Sequence, residues 1–177
     1  MKAIRIQYEI SIGDFRKATY YALFLRHRRA LQIMFLVAAA GIIYGIAAAL
    51  GIGEANPLVF LLAGAYLLWG ILLFAGAEKS VLKYVKTSDN LIGCSYLAEF
   101  EKSRMRIRVK ERNIDFSCPV HKLACVFELS ALFLVYSSVS EVFIIPKRYV
   151  SEEDCRELRD CFRLQLKDRF STRFEKR

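Results

Sequence analysis

Charge is what this sequence lacks over its most unusual stretch. Leu31 to Gly53 contains no Asp, Glu, Lys or Arg, Ala55 to Ala77 contains none either, and only Glu54 stands between them. Two such runs in a chain that is 55% apolar exclude a soluble domain of ordinary composition. Each run is about 23 residues, or roughly 34 Å as helix, enough to cross a hydrocarbon core of about 30 Å. The spacing therefore predicts a transmembrane helical hairpin, with spans over 31–53 and 57–77. Thirty residues precede the first run, where a signal peptide would have a short basic segment, so it reads as a retained helix.

The connecting loop lacks Lys and Arg altogether, and this sets the expected orientation. Arg26, Arg28 and Arg29 abut the first span, and Lys79, Lys83 and Lys86 follow the second. Positive charge marks the cytoplasmic side, which predicts a multi-pass protein of the plasma (inner) membrane with both termini cytoplasmic. Residues 1–30 hold seven Lys/Arg against two acids and residues 79–177 hold twenty against fourteen, and with Glu54 and Glu78 of the hairpin the net charge is +9.

Catalytic signatures are also lacking. There is no G-x-S-x-G, no Walker loop, no dinucleotide fingerprint and no HExxH. His27 lies in a basic run and His121 has no organising Ser, Cys or Asp motif, so no catalytic or cofactor-binding residue is assigned and the chain is not read as an enzyme. Cys118, His121 and Cys125 have C-x2-H-x3-C spacing, one ligand short of a structural zinc site, and read as buried thiols beside a loop histidine; no metal is assigned. The five cysteines (Cys94, Cys118, Cys125, Cys155 and Cys161) lie outside the hairpin, on the reducing side of the expected topology, which excludes a disulfide framework. Basicity here follows membrane orientation and no RNA or DNA motif is present, so nucleic acid is not an expected partner.

What is present is a regular pattern outside the spans. Ile4 to Ile10 alternates apolar with polar, a half-buried strand. Ser11 and Asp14 then form an S-x-x-D cap, and from Phe15 a basic amphipathic helix runs continuously, or nearly so, into the first span. The second span continues past the membrane until Asp89-Asn90. Residues 93–146 read as strands: Tyr96–Glu101 and Arg104–Lys110, joined at Lys102-Ser103, then Asn113–Ser117, Leu123–Glu128, Leu132–Tyr136 and Val142–Ile145. Ser151 and Asp154 make a second cap, and Cys155, Leu158, Phe162, Leu166 and Phe170 give an amphipathic helix from Glu152 to Phe170.

The expected fold is thus an α+β membrane protein with about seven strands. A transmembrane hairpin (31–78) is inserted after the first strand of a small cytoplasmic β-sheet domain. That domain is pleckstrin-homology-like (PH-like), assembled from the strand that opens segment 1–30 and from residues 90–170 of the β-rich region 79–177, and closed by a C-terminal amphipathic helix. The layout, together with Phe143-Ile144-Ile145-Pro146-Lys147-Arg148 followed by Tyr149-Val150-Ser151-Glu152-Glu153, resembles the YcxB-like family of bacterial membrane proteins. The resemblance implies a membrane protein with a cytoplasmic domain and supplies no catalytic residues.

Two groups of residues are candidates for function. Arg104, Arg106, Arg108 and Lys110 share one strand face by period two, a positive strip suited to anionic lipid or an acidic partner, or else a solvated face neutralised in part by Glu99 and Glu101. Gly41 and Gly45 in the first span, with Gly64 and Gly70 in the second, let helix backbones approach closely, within the hairpin or in a homodimer. The function expected from all this is a non-catalytic, membrane-anchored binding or regulatory module. It would recruit an unknown protein partner or contact membrane lipid. The alternative is a small accessory subunit of a transport or envelope complex, acting through its hairpin.

Overall fold

The computed structural model describes residues 3–52, 56–88, 90–101, 103–139 and 141–172. Gly53, Glu54 and Ala55, where the sequence predicts the connecting loop, lie outside them, as do Asp89 and Lys102. The chain divides into two compact units, residues 1–18 with 89–177 and residues 19–88.

The first unit is built on two four-stranded sheets. One is an antiparallel meander in the order β1 (Ile4–Glu9), β2 (Ser95–Glu101), β3 (Arg104–Val109), β4 (Ile114–Pro119). The other has the order β7 (Val142–Pro146), β6 (Leu132–Tyr136), β5 (Cys125–Glu128), β8 (Phe170–Thr172), with β8 parallel to β5. Period-two alternation makes the first sheet two-faced. Ile4, Ile6 and Tyr8, Tyr96, Ala98 and Phe100, and Met105, Ile107 and Val109 are all buried, while Arg5, Gln7 and Glu9 face outward. Pairing β1 to β2 sets Tyr8 opposite Tyr96, and their rings stack at 5.1 Å.

Helix α4 (Glu152–Leu166) closes this core. The Ser151 hydroxyl accepts from the amide of Asp154 at 3.0 Å and donates to its carboxylate at 2.7 Å, the expected cap. Leu158, Cys161, Phe162 and Leu166 are buried. Phe162 lies against Phe100 of the first sheet and Phe133 and Phe170 of the second. One aromatic residue thus ties helix and both sheets together.

The structure corrects several sequence boundaries. Helix α4 ends at Leu166, not Phe170, because Lys167 takes φ 49° and ψ −115°, which no helix continues. Phe170 therefore enters β8, an eighth strand. Strand β5 begins at Cys125 rather than Leu123, since residues 120–122 form a 3-10 turn. Strand β3 stops at Val109, so Lys110 leaves it for a 3-10 turn over Lys110–Arg112, which Asn113 ends in the left-handed region at φ 52°.

The second unit is helical. Helix α1 (Ile12–Arg26) begins in the first unit and continues into this one, and His27 alone separates it from α2 (Arg28–Ala49). Helix α3 (Pro57–Lys86) follows. Its start is sharply defined: the Asn56 side chain accepts from the Leu58 amide at 3.0 Å, and Pro57 occupies the first helical position. Helices α2 and α3 are long and apolar enough to cross a membrane, about 33 Å and 45 Å at 1.5 Å per residue. Only 11% of the most apolar stretch of α2 and 6% of that of α3 is buried.

Candidate functional site

The outer face of the first sheet carries the predicted basic strip. Arg106 chelates Asp115 of β4 through two donors, Nε reaching Oδ1 at 2.8 Å. Arg108 donates to Glu99 of β2 at 2.8 Å, and Arg5 of β1 meets the same carboxylate at 3.2 Å. Register explains this: Arg5, Glu99 and Arg106 stand abreast across three strands, and Asp115 stands opposite Arg108. The face is a ladder of alternating charge. The hydrogen bond from Arg106 holds the Asp115 carboxyl below the usual carboxylate range, though burial acts the other way. Of the four strip residues, Arg104 is the one exposed on the strand with no ion-pair partner among the described residues, directly opposite Glu101. Lys110 sits beyond the strand end. The structure therefore does not bring the four together as one uncompensated positive strip.

A second cluster was not visible in the sequence pattern. Glu128 at the end of β5 is wholly buried, and three charged hydrogen bonds satisfy it. Lys147 donates at 2.7 Å, and Arg159 of α4 donates at 2.6 and 2.8 Å. Burial pushes the Glu128 carboxyl up, but these donors outweigh it and leave it below its ordinary value. The next residue, Arg148, donates to Asp14 at 2.8 Å and to the Glu9 carbonyl at 3.1 Å. Asp14, also buried, accepts from the Ser11 amide at 2.9 Å and its hydroxyl at 2.7 Å. Burial raises its carboxyl as well, and bonds from Arg148 and Ser11 more than reverse that. Lys147 and Arg148 are thus a corner fastener. One binds the second sheet to α4's partner carboxylate, and the other binds the end of β7 to the capping box of α1.

In the helical unit the small residues divide by role. A Cβ at Gly41 would stand 2.9 Å from the Ala63 methyl, and one at Gly45 would touch the Phe60 ring at 3.4 Å. Gly70 leaves room for the Met34 side chain. Gly64 and Gly76 have no atom within 4 Å of that position, so they take no part in packing α2 on α3. The Tyr44 ring packs tilted against Phe60 at 5.6 Å, and its hydroxyl accepts from the Asn56 amide at 2.7 Å. Toward the other end, Tyr20 donates to Glu78 at 2.5 Å and packs on Phe74. Trp69 is half-buried on α3.

Three of the thiols are poor nucleophiles. Burial raises Cys125, Cys155 and Cys161 above the ordinary thiol value, so they stay protonated near neutrality. Cys118 donates weakly to the Pro119 carbonyl, and Arg169 uses the His121 carbonyl as an acceptor. Among the described residues, no three His, Cys, Asp or Glu side chains are grouped to hold a metal ion. No family model matches the chain, and neither a curated protein nor a solved structure matches it.

Proposed function

We propose that this chain is a membrane-anchored, non-catalytic module. Its α2–α3 hairpin spans the plasma membrane with both termini cytoplasmic, and its β-rich unit recruits a protein partner. The observation that carries the reading is the bare apolar surface of α2 and α3, since contiguous exposed apolar surface on this scale marks an interaction or membrane face. Leu36, Ile42, Ile43, Leu50, Leu61 and Ile71 are each more than 60% exposed, and hydrocarbon is the solvent that suits them. The flanking charges, Arg26 to Arg29 and Lys79 to Lys86, support the cytoplasmic placement of the ends.

The β-rich unit is PH-like in this reading. Support comes from a four-stranded meander, a second sheet begun by β5 to β7, and a helix closing the core. Membership of the YcxB-like family is part of the same proposal. Its Pro-Lys-Arg signature gains a physical role here, since Lys147 and Arg148 each neutralise a buried carboxylate. The compensated face around Arg106 and Arg108 favours a protein partner over a lipid surface for this unit, because two of its arginines are already engaged.

The hairpin-centred reading, an accessory subunit of a transport or envelope complex, draws on Gly64 and Gly76. Both leave α3's surface open to another helix. The deciding experiment is mild-detergent co-purification of the full chain from native membranes, compared across two variants. Loss of the partner with Arg104→Glu but not Gly64→Leu supports recruitment by the β-rich unit, and the reverse supports the hairpin. Tags at either end reached by protease from outside intact cells would overturn the topology.

A further inference from the structure

Within the helical unit, a groove of about 390 Å³ runs beside the α2–α3 seam, lined by Ala30 and Ile33 of α2 and by Ala65, Tyr66 and Trp69 of α3. The volume falls inside the roughly 300–1,000 Å³ of small-ligand sites. Helix pairing fixes its direction. Phe24 packs on Phe74, and Gly70 makes room for the Met34 side chain, so Arg26 to Arg29 stand level with Leu72 and Leu73. From that level the groove follows Ile33 on one helix and Trp69, Tyr66 and Ala65 on the other, into both uncharged runs.

Three features say what fits. The mouth is cationic. Arg26 and Arg29 precede Ala30 and Ile33 by four residues each, one helical turn before the two α2 residues of the groove. The backbone ladder carries this stripe through His27, whose amide donates to the Leu23 carbonyl and whose carbonyl accepts from the Leu31 amide, both at 2.9 Å. Both arginines are exposed, with no ion-pair partner among the described residues. The wall holds a donor at shallow depth. Trp69 adjoins Gly70, level with Met34, which is five residues or about 7.5 Å past Arg29. Its Nε1–H has no acceptor among the described residues, and a donor left unpaired in hydrocarbon is costly. Deeper in, Ile33 and Ala65 offer only apolar surface. Cations at the mouth, a donor just inside and an apolar trough beyond match the phosphate, ester and acyl chain of a glycerophospholipid, in that order.

We infer that this groove binds one anionic phospholipid, its phosphate between Arg26 and Arg29, an ester carbonyl on Trp69 Nε1 and an acyl chain along Ile33 and Ala65. The chain then points into the bilayer and the head lies at the cytoplasmic surface. The inference rests on the hairpin spanning the membrane in that orientation. It assigns to the helical unit the lipid contact that the compensated β3 face does not supply.

Trp69 is the single tryptophan and lines the groove, so its fluorescence reports the occupant. The full chain is reconstituted in phosphatidylcholine vesicles containing phosphatidylglycerol, with brominated acyl chains on one lipid or the other. Brominated phosphatidylglycerol is expected to quench Trp69 at a mole fraction on the order of tenfold lower than brominated phosphatidylcholine, the joint effect of two basic groups. Arg26→Ala and Arg29→Ala should each cut that preference about fivefold. Arg28→Ala removes the same charge at the same height, but Arg28 is two residues from Ala30 and five from Ile33, on the far side of α2, and its loss should preserve the preference. Ala65→Leu fills the groove without touching charge and should bring the two lipids level. Equal quenching of the native chain by both lipids overturns the site and leaves the spanning hairpin intact. An equal loss with all three arginine variants, or a preference that survives Ala65→Leu, does the same. Quenching by neither lipid overturns the spanning hairpin and the site with it.

Discussion

Arg148 and Asp14 are 134 residues apart in sequence and joined by a 2.8 Å charged hydrogen bond. Asp14 simultaneously closes the capping box of α1, so one carboxylate holds the start of a helix and the far end of β7. Removing Arg148 leaves that carboxylate buried with only Ser11 as donor. Breaking a fully buried pair costs about 3–5 kcal/mol, but the Arg148 side chain is nearly half exposed, so we expect about 1–2 kcal/mol for Arg148→Ala. Hydrogen exchange should speed up at Phe15 and neighbouring amides of α1. Unchanged protection there would show that Ser11 suffices alone.

Acid should loosen the same corner. The carboxyls of Asp14 and Glu128 lie lower in the folded chain than in the unfolded one, about 3.9 and 4.3 for the free residues. Stability from such groups is fully present above the unfolded values and falls as pH drops below about 4 toward the folded ones. Thermal unfolding in detergent should therefore hold steady from pH 7 to 5 and decline below about 4. Asp14→Asn should flatten part of that decline.

Glu128 has a sharper signature. Glu128→Ala strands Lys147 and Arg159 near the core and should cost about 2–3 kcal/mol, since both cations retain some access to water. Replacing all three by Leu should restore much of the loss, because apolar groups of similar size often match a buried ion cluster. A triple variant less stable than Glu128→Ala would mean that the network specifies the packing of α4 rather than merely tolerating burial.

Glycines in the hairpin should separate cleanly. Gly41→Leu drives a side chain into Ala63 and is expected to cost about 1–3 kcal/mol by overpacking. A Cβ at Gly64 meets nothing within 4 Å, so Gly64→Leu should leave hairpin stability unchanged. Heat-induced aggregation in mild detergent compares the two directly. Sensitivity at Gly64 equal to that at Gly41 would point to a second chain on that face.

Lys167 is a non-glycine residue in a conformation that favours glycine. Lys167→Gly should stabilise the β-rich unit by roughly 0.5–1 kcal/mol, seen as a higher unfolding temperature. A lower one would show that the lysine side chain holds the chain reversal in place.

That same residue explains where sequence pattern stopped being informative. Phe170 stands four residues after Leu166, so helical spacing absorbs it, and Lys167 gives no warning of the reversal that sends it into β8. Asn113 was a usable signal, since Asn tolerates the left-handed turn that removes Lys110 from β3. The capping boxes at Ser11 and Ser151 were legible because their partners lie three residues away. Strands β1, β2, β3 and β6 were legible because burial there alternates or is complete. Glu128 was opaque for the opposite reason. A lone acid ending an apolar strand acquires meaning only when residues 19 and 31 positions downstream fold back to it. The ion pairs of the β3 face were half visible, with Glu99 anticipated and Asp115 found only by strand register.

Strand β1 hydrogen-bonds to β2 across the whole helical insertion, with Ile4 facing Phe100. The first piece of the sheet to leave the ribosome is consequently among the last to be seated. At about 5–20 residues per second, its edge waits several seconds while the greasy segments are delivered. During that interval Ile4, Ile6 and Tyr8 have no neighbour in the nascent chain. Assembly of this protein is thereby timed by its own connectivity, with both long apolar helices synthesised before the sheet can close.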